Sequence, residues 1–206
     1  MVNIGVLISG GGTNLQALID GVNSGTIKGK IRVVISNRKD AYGLERARKA
    51  NIESIFIDPK GYSHEKYCNV LLEELKKRDV ELVVLAGFLK ILSREFVNEY
   101  KNRIINIHPS LIPSFSGQGY YGEKVHQAVL DYGVKYTGAT VHFVDEGADT
   151  GPIILQEVVK VDNEDTVESL REKVLKVEHK ILVEAVRLYC EGRLGLKGRK
   201  VIIDRE

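Results

Sequence analysis

What most constrains this chain is the regular exchange of two hydrophobic periods along it. Short runs rich in Val, Ile and Leu alternate with longer stretches whose apolar residues recur at helical spacing. Strand–helix–strand units of this kind pair their strands in parallel and cover the sheet with helices. Strands are predicted over 4–9, 31–37, 53–57, 82–86, 104–107, 137–144 and 153–159. The first helix should begin at Thr13 or Asn14, with Leu15, Leu18, Ile19 and Val22 on one face and Thr13 with Gln16 as a capping box. Further helices are predicted over 43–50, 63–78, 93–100, 123–132 and 165–190. The last is the longest, with Val167, Leu170, Val174, Val177, Ile181 and Leu188 as its buried stripe. The fold class is therefore α/β, Rossmann-like: a mainly parallel twisted sheet, helices on both faces, and an antiparallel strand pair in the C-terminal half. We expect a single domain over 1–206, in which 1–100 form a phosphate-binding βαβ half and 101–206 a half carrying the remaining site loops on the same sheet.

Between these elements lie two loops without a period, 108–121 and 145–152, which hold three of the four prolines. Restricted backbone there marks where chemistry is expected. Charge argues against some partners. Lys and Arg number 30 against 28 Asp and Glu, interspersed rather than gathered into an arm or tail, which is unlike a general nucleic-acid or membrane-surface binder. The first residues read as a strand rather than a signal, and no apolar run approaches the ~18 residues of a membrane span. Cys68 and Cys190 lie in helical segments without a CxxC partner, as expected of structural thiols in a cytoplasmic protein.

The first predicted strand runs directly into Gly10-Gly11-Gly12-Thr13-Asn14 and then a helix. Such a turn aims unpaired N–H groups and the positive end of a helix dipole at one spot, where phosphate is the natural occupant. A plain tight turn is the bland alternative, although three adjacent glycines carry an entropy cost that it would not need. The dinucleotide fingerprint is absent, because Leu15 stands where its third glycine would be and strand two ends in Ser36-Asn37-Arg38 rather than an acid. A P-loop is absent too, since no Gly-Lys-Ser/Thr follows.

The period of two places Asn106 and His108 on one face of the strand that Pro109 then ends. In acyl transfer an amide donates to a developing oxyanion, and an imidazole can donate a hydrogen bond or a proton. Read alone, the pair is as compatible with satisfied structural residues. Asp149, in the turn 147–152, is either a turn former that bonds its own backbone or the carboxylate that orients His108 and raises its pKa. The remaining histidines of interest, His126 and His142, are expected to serve packing or local hydrogen bonds.

Four separated motifs then occur in order: Gly-Gly-Gly-Thr-Asn-Leu at 10–15, Ala-Gly-Phe-Leu-Lys-Ile-Leu at 86–92, Asn-Ile-His-Pro-Ser-Leu-Ile-Pro at 106–113, and Val-His-Phe-Val-Asp-Glu-Gly-Ala-Asp-Thr-Gly-Pro-Ile-Ile at 141–154. With these the chain resembles the phosphoribosylglycinamide formyltransferase family over nearly its whole length. The resemblance implies formyl transfer from 10-formyltetrahydrofolate, a co-substrate, to the amine of glycinamide ribonucleotide in purine biosynthesis, with no metal and no redox cofactor. It implies a catalytic trio of Asn106, His108 and Asp149, and substrate phosphate at Gly12, Thr13 and Asn14. It further implies a folate site along Leu89, Lys90, Ile91, Leu92 and the loop from Val144. Glu178 matches a family acid that meets the glycinamide end of the substrate; beside His179 and Lys180, and placed off the apolar stripe, it reads equally as a solvated charge. His64 stands where some members carry an Arg that meets the folate tail, with Lys60 and Lys66 nearby. The loop 114–122 is longer and more aromatic than in many relatives, and one reading of it is a mobile lid. Three other functions are weighed against transfer. A 10-formyltetrahydrofolate hydrolase usually has a further N-terminal domain, and a transfer-RNA formyltransferase needs a C-terminal RNA-binding domain. A non-catalytic nucleotide-binding module would not need the trio.

Overall fold

A computed structural model describes residues 1–204. In chain order its elements are β1 (Val2–Ile8), α1 (Thr13–Asn23), β2 (Gly29–Ser36), α2 (Tyr42–Lys49), β3 (Glu53–Phe56), α3 (His64–Lys76), β4 (Leu82–Leu85) and α4 (Arg94–Glu99). There follow β5 (Ile104–His108), α5 (Glu123–Tyr132), β6 (Tyr136–Phe143), β7 (Ile153–Lys160), α6 (Val167–Cys190), β8 (Leu194–Lys197) and β9 (Lys200–Ile203). Strands β1 to β7 form one sheet in the order β3-β2-β1-β4-β5-β6-β7. The first five run parallel, and β6 is antiparallel to both β5 and β7. The pair β8–β9 is a separate hairpin.

Strand alternation divides the core in two. Ile4, Val6 and Ile8 of β1, with Leu82 and Val84 of β4 and Ile105 and Ile107 of β5, face Leu15, Leu18, Ile181 and Leu182 of α1 and α6. Leu7, Val83, Leu85 and Ile104 point the other way, onto Leu71 and Leu75 of α3 and Phe96 of α4. Continuous apolar runs such as 4–8 and 82–85 are therefore buried on both faces, as parallel strands between helix layers must be. Beyond α4 the second face changes character. There the same alternation presents Asn106 and His108 of β5, and Thr140 and His142 of β6, opposite Ile107 and Val141. The order of strands reverses between β1 and β4, so the loops after those strands leave the sheet in opposite directions and open a crevice.

Three local expectations are corrected. Thr13 does not cap α1: the N-cap is Gly12, at φ 70°, with no side-chain cap bond, and Thr13 is the first helical residue. The chain curls early because Gly12 lies against Gly43 of α2, where an added Cβ would sit 2.6 Å from the Gly43 Cα. A capping box does exist, formed by Thr166 and Ser169 at the start of α6. On α6 itself Val167 and Val177 are only half-buried, whereas Glu178 stands within the buried row with Leu170, Val174 and Leu182. The hairpin β8–β9 is an addition to the predicted elements. Its signal is short: four-residue strands turning at Gly198 (φ +61°).

The close approach at Gly12 can be measured. Gly25 has the same left-handed backbone (φ +78°) but open space around it. Gly25→Ala should therefore cost about 1 kcal/mol for the strained φ alone, and Gly12→Ala about 2 kcal/mol or more, because backbone must also move. Urea unfolding of both variants checks this, and equal losses would show that the Gly12–Gly43 contact holds no strain.

Candidate active site

The side chain that organises the polar face is Asp149. Its Oδ2 lies 3.4 Å from His108 Nδ1 and accepts from the Gly117 N–H at 2.9 Å. Its Oδ1 lies 3.4 Å from Asn106 Nδ2 and 3.6 Å from His142 Nε2. Asp149 itself adopts φ +57°, a conformation that Asp tolerates better than most residues. His108 Nε2 is 2.9 Å from the Phe115 carbonyl, which can only accept, so this nitrogen carries a proton. By the same logic His142 Nδ1 donates to the Phe143 carbonyl at 2.8 Å. Its other nitrogen then accepts from Asn106 Nδ2 at 3.1 Å. Thus the three residues predicted for chemistry are brought together, and a fourth, His142, joins them. It makes the local hydrogen bonds expected of it but does so inside the site. Its position was readable, since Val141 and Phe143 on either side are core residues and the period of two turns His142 to the face of Asn106.

Electrostatics separate the carboxylate from the imidazole. Burial works to raise the Asp149 pKa, yet its neighbours His142, His108 and the Gly117 N–H outweigh it and hold the carboxyl below its usual range. For His108 burial wins: it lowers the pKa, and Asp149 with the Phe115 carbonyl recovers only part of the loss. The expectation that Asp149 lifts His108 above its ordinary value is therefore corrected. The carboxylate pulls upward, but an imidazole 4% exposed loses more from desolvation of its charged form. His126 is a buried helix residue, as expected, with its pKa pushed down to about 4 by burial and by Arg171.

These groups line a cleft of about 460 Å³. Leu89, Lys90, Ile91, Leu92 and Val144 form its wall, with Tyr120 and Tyr121 from the long loop at its rim. Leu89 and Ile91 are more than half exposed, so apolar surface is held open beside the polar trio. The loop 109–122 is tied to the site through Phe115 and Gly117, and Phe115 packs edge-on against Tyr120 and Tyr132. His64 does not line the cleft. Its Nε2 lies 2.9 Å from the Ile91 carbonyl, bracing the wall from behind.

Across the end of β1 lies the glycine loop. Gln16 N–H makes the first intrahelical bond, to the Gly12 carbonyl, which leaves the N–H groups of Thr13, Asn14 and Leu15 without intrahelical partners. Arg46 of α2, not singled out from sequence, donates to the Gly11 carbonyl at 2.8 Å and to Gln16 at 3.2 Å, adding a cation beside the loop. Asn14 is buried, and its amide donates to Glu178 at 2.8 Å. Glu178 is 8% exposed and pushed up to about 7 by burial, against the pull of that bond, so it is not a solvated charge. Ser9 joins the two regions. Its backbone N–H bonds Gly87, its hydroxyl accepts from Leu89 N–H at 2.8 Å and donates to Asn37 at 2.6 Å. Among the described residues no group of three or more His, Cys, Asp or Glu is placed to hold a metal ion. No helix among them is long and apolar enough to cross a membrane.

Comparison with known proteins gives the family. The sequence pattern of the formyl transferase family matches residues 2–186. The phosphoribosylglycinamide formyltransferase of Escherichia coli is 41% identical over 204 residues, which cover 98% of this chain and 94% of that protein. The chain belongs to the phosphoribosylglycinamide formyltransferase family. The chloroplastic family member of Arabidopsis thaliana is 42% identical over 93% of this chain, and this chain spans only about two thirds (66%) of that protein's length. Among solved structures, glycinamide ribonucleotide transformylase 1 of Symbiobacterium toebii superposes with a TM-score of 0.94 at 50% identity, over 98% of this chain and 94% of that one. A formyltetrahydrofolate deformylase of Pseudomonas syringae superposes at 0.89 with 28% identity, over 99% of this chain and 66% of that one.

Two outcomes follow from the pKa ordering. Asp149→Asn should move the His108 titration further down, because the upward pull on the imidazolium is removed; ring NMR titration of both proteins reads it, and an unchanged value would make Asp149 a turn residue only. For Glu178 the folded pKa (about 7) exceeds the ordinary 4.5. The folded protein thus binds more protons than the unfolded chain in that window, so this group's contribution to stability is full below pH 4.5 and falls as pH rises towards about 7. Glu178→Gln should flatten that slope in denaturant titrations across the window.

Proposed function

We propose that this chain transfers the formyl group of 10-formyltetrahydrofolate to the amine of 5-phosphoribosylglycinamide, a step of purine biosynthesis. The observation that carries this reading is the contact of one ionised carboxylate, Asp149, with both His108 and Asn106 in a cleft walled by residues 89–92. Family membership supplies the two substrates.

In this reaction the amine attacks the formyl carbon, and the carbonyl becomes a tetrahedral oxyanion. Asn106 donates an N–H to it, and each such donor contributes about 3 kcal/mol in comparable acyl-transfer sites. His108 is the second donor. Its Nε2–H, bonded to the Phe115 carbonyl in the free protein, turns to hydrogen-bond the substrate's oxyanion and stays on the ring, while Asp149 stands opposite Nδ1, where a proton taken up by the ring would be stabilised. Collapse restores the C=O bond and breaks the bond to the folate nitrogen, which takes up the proton lost by the amine. His142 keeps the Asn106 amide oriented.

The ribonucleotide phosphate takes the N–H groups of Gly12, Thr13 and Asn14 at the positive end of α1. Because the Asn14 amide is engaged by Glu178, its side chain acts through that acid, which meets the glycinamide end of the substrate. The folate lies on Leu89, Lys90, Ile91, Leu92 and Val144, with His64 fixing the wall. No metal takes part, and with two free thiols the protein is assigned to the cytoplasm.

The likeness to a deformylase gives hydrolysis of 10-formyltetrahydrofolate as the second reading. One assay separates the two: formyl folate consumption with and without glycinamide ribonucleotide. Consumption only with the ribonucleotide is expected, and equal consumption without it would favour hydrolysis. Within the transferase, His108→Ala and Asn106→Ala should each lower kcat about 100-fold or more with the fold intact. Asn14→Ala should raise KM for the ribonucleotide while KM for the folate stays within about twofold. A folate KM that moves instead would place the substrates at the opposite ends of the cleft.

A further inference from the structure

The hairpin β8–β9 follows the last residue, 186, at which the family pattern matches. Its base is fixed: Leu194 and Val201 pack against the larger core cluster, and Arg193 N–H bonds the Leu188 carbonyl. At its tip the Arg199 guanidinium donates to the Thr150 carbonyl at 2.6 Å. Thr150 is the neighbour of Asp149.

The loop that carries Asp149 needs such a tether. On one side it faces the cleft already described, through Val144, Asp145, Gly147 and Asp149. On the other it faces a second cleft of about 490 Å³, bounded by Val97, Lys101, Gly198 and Arg199 and sharing Val144, Asp145 and Gly147 with the first. It is thus a partition between two open spaces. Asp149 meanwhile holds a left-handed backbone, which persists when surrounding contacts over-determine it. Some contacts are internal, as where Asp145 accepts from the Gly147 N–H and the Thr150 hydroxyl. Arg199 comes from outside, and a charge-assisted bond to the Thr150 carbonyl fixes the orientation of the Thr150–Gly151 peptide, one residue beyond Asp149.

We propose that Arg199, at the tip of the C-terminal hairpin, is a positioning residue that holds the Asp149 carboxylate in register with His108 and Asn106. The turnover arm of its test rests on the function proposed above; the titration arm does not. In Arg199→Ala the His108 ring should titrate lower than in the wild type, because Asp149 recedes and its upward pull weakens. The kcat for formyl transfer should fall about 10- to 100-fold, the scale of a displacement approaching 1 Å. KM for the ribonucleotide should stay within about twofold, since its phosphate lies across β1. Arg199→Lys, which keeps a charged donor, should recover most of both effects, and Lys200→Ala should reproduce neither. A wild-type His108 titration in Arg199→Ala overturns the proposal, whether or not thermal stability drops. If the wild type transfers no formyl group but the titration still moves, the functional reading fails and the positioning role stands.

Discussion

A carboxylate buried between two imidazoles is the interaction on which the remaining structure of the site depends. Desolvation alone would raise the Asp149 pKa, and the carboxyl is held low because His142, His108 and the Gly117 N–H surround it. The carboxylate and these partners come from four segments. His108 ends β5, His142 lies on β6, Gly117 belongs to the loop after β5, and Asp149 to the loop after β6. A buried charge loses several kcal/mol if its partners are displaced, so the same contacts that keep Asp149 ionised also hold two long loops in place. Binding geometry and backbone order are in this sense one constraint.

The antiparallel arrangement of β6 sets the route by which that convergence is reached. Were β6 parallel to β5, its following loop would leave from the same end as His108. Instead Phe143 pairs with Ile105, and the chain emerges beside the start of β5 and must run back across the sheet face to bring Asp149 to His108. Sharp returns of this kind need small residues: at Gly151 a Cβ would lie 1.7 Å from the Phe143 carbonyl oxygen. The chemistry consequently sits on the polar face of β5 and β6, where no helix covers the sheet, and extends toward the strand ends rather than being confined to them.

What could be read from sequence was whatever depends on short-range period. Strands and helices down to β3, and the shared face of Asn106 and His108, follow from spacings of two and of three to four residues. Asp149 was read from its turn as either a turn former or a partner of His108, and the motif order added the stretch 89–92 that now walls the cleft. What could not be read was long-range pairing. The contact of Asn14 with Glu178 spans 164 residues and that of Arg46 with Gly11 spans 35, and neither leaves a local trace. Glu178 was placed outside the buried stripe because an acid among apolar neighbours ordinarily marks the solvent side; here a single amide bond and partial protonation offset its burial. The Thr13 cap failed for a related reason. The helix starts at Thr13 as spacing suggested, but with Gly12, pressed against distant Gly43, as its N-cap in place of a Thr13 capping box.

The opposed shifts of His108 and Asp149 have a consequence for how charge enters the site. With His108 depressed and Asp149 ionised, the free cleft near neutral pH holds a neutral imidazole beside a carboxylate. In the proposed transfer, a permanent imidazolium there would oppose the positive charge that the attacking amine acquires. A neutral ring does not, yet it is one proton away from a stabilised cation, since Asp149 lies 3.4 Å from Nδ1. An oxyanion forming nearby adds a second negative charge and raises the ring's proton affinity only while that intermediate exists. In the proposed reaction, the burial that lowers His108 in the resting site would confine its charge to the intermediate, where interactions accelerate a reaction rather than merely tightening substrate binding.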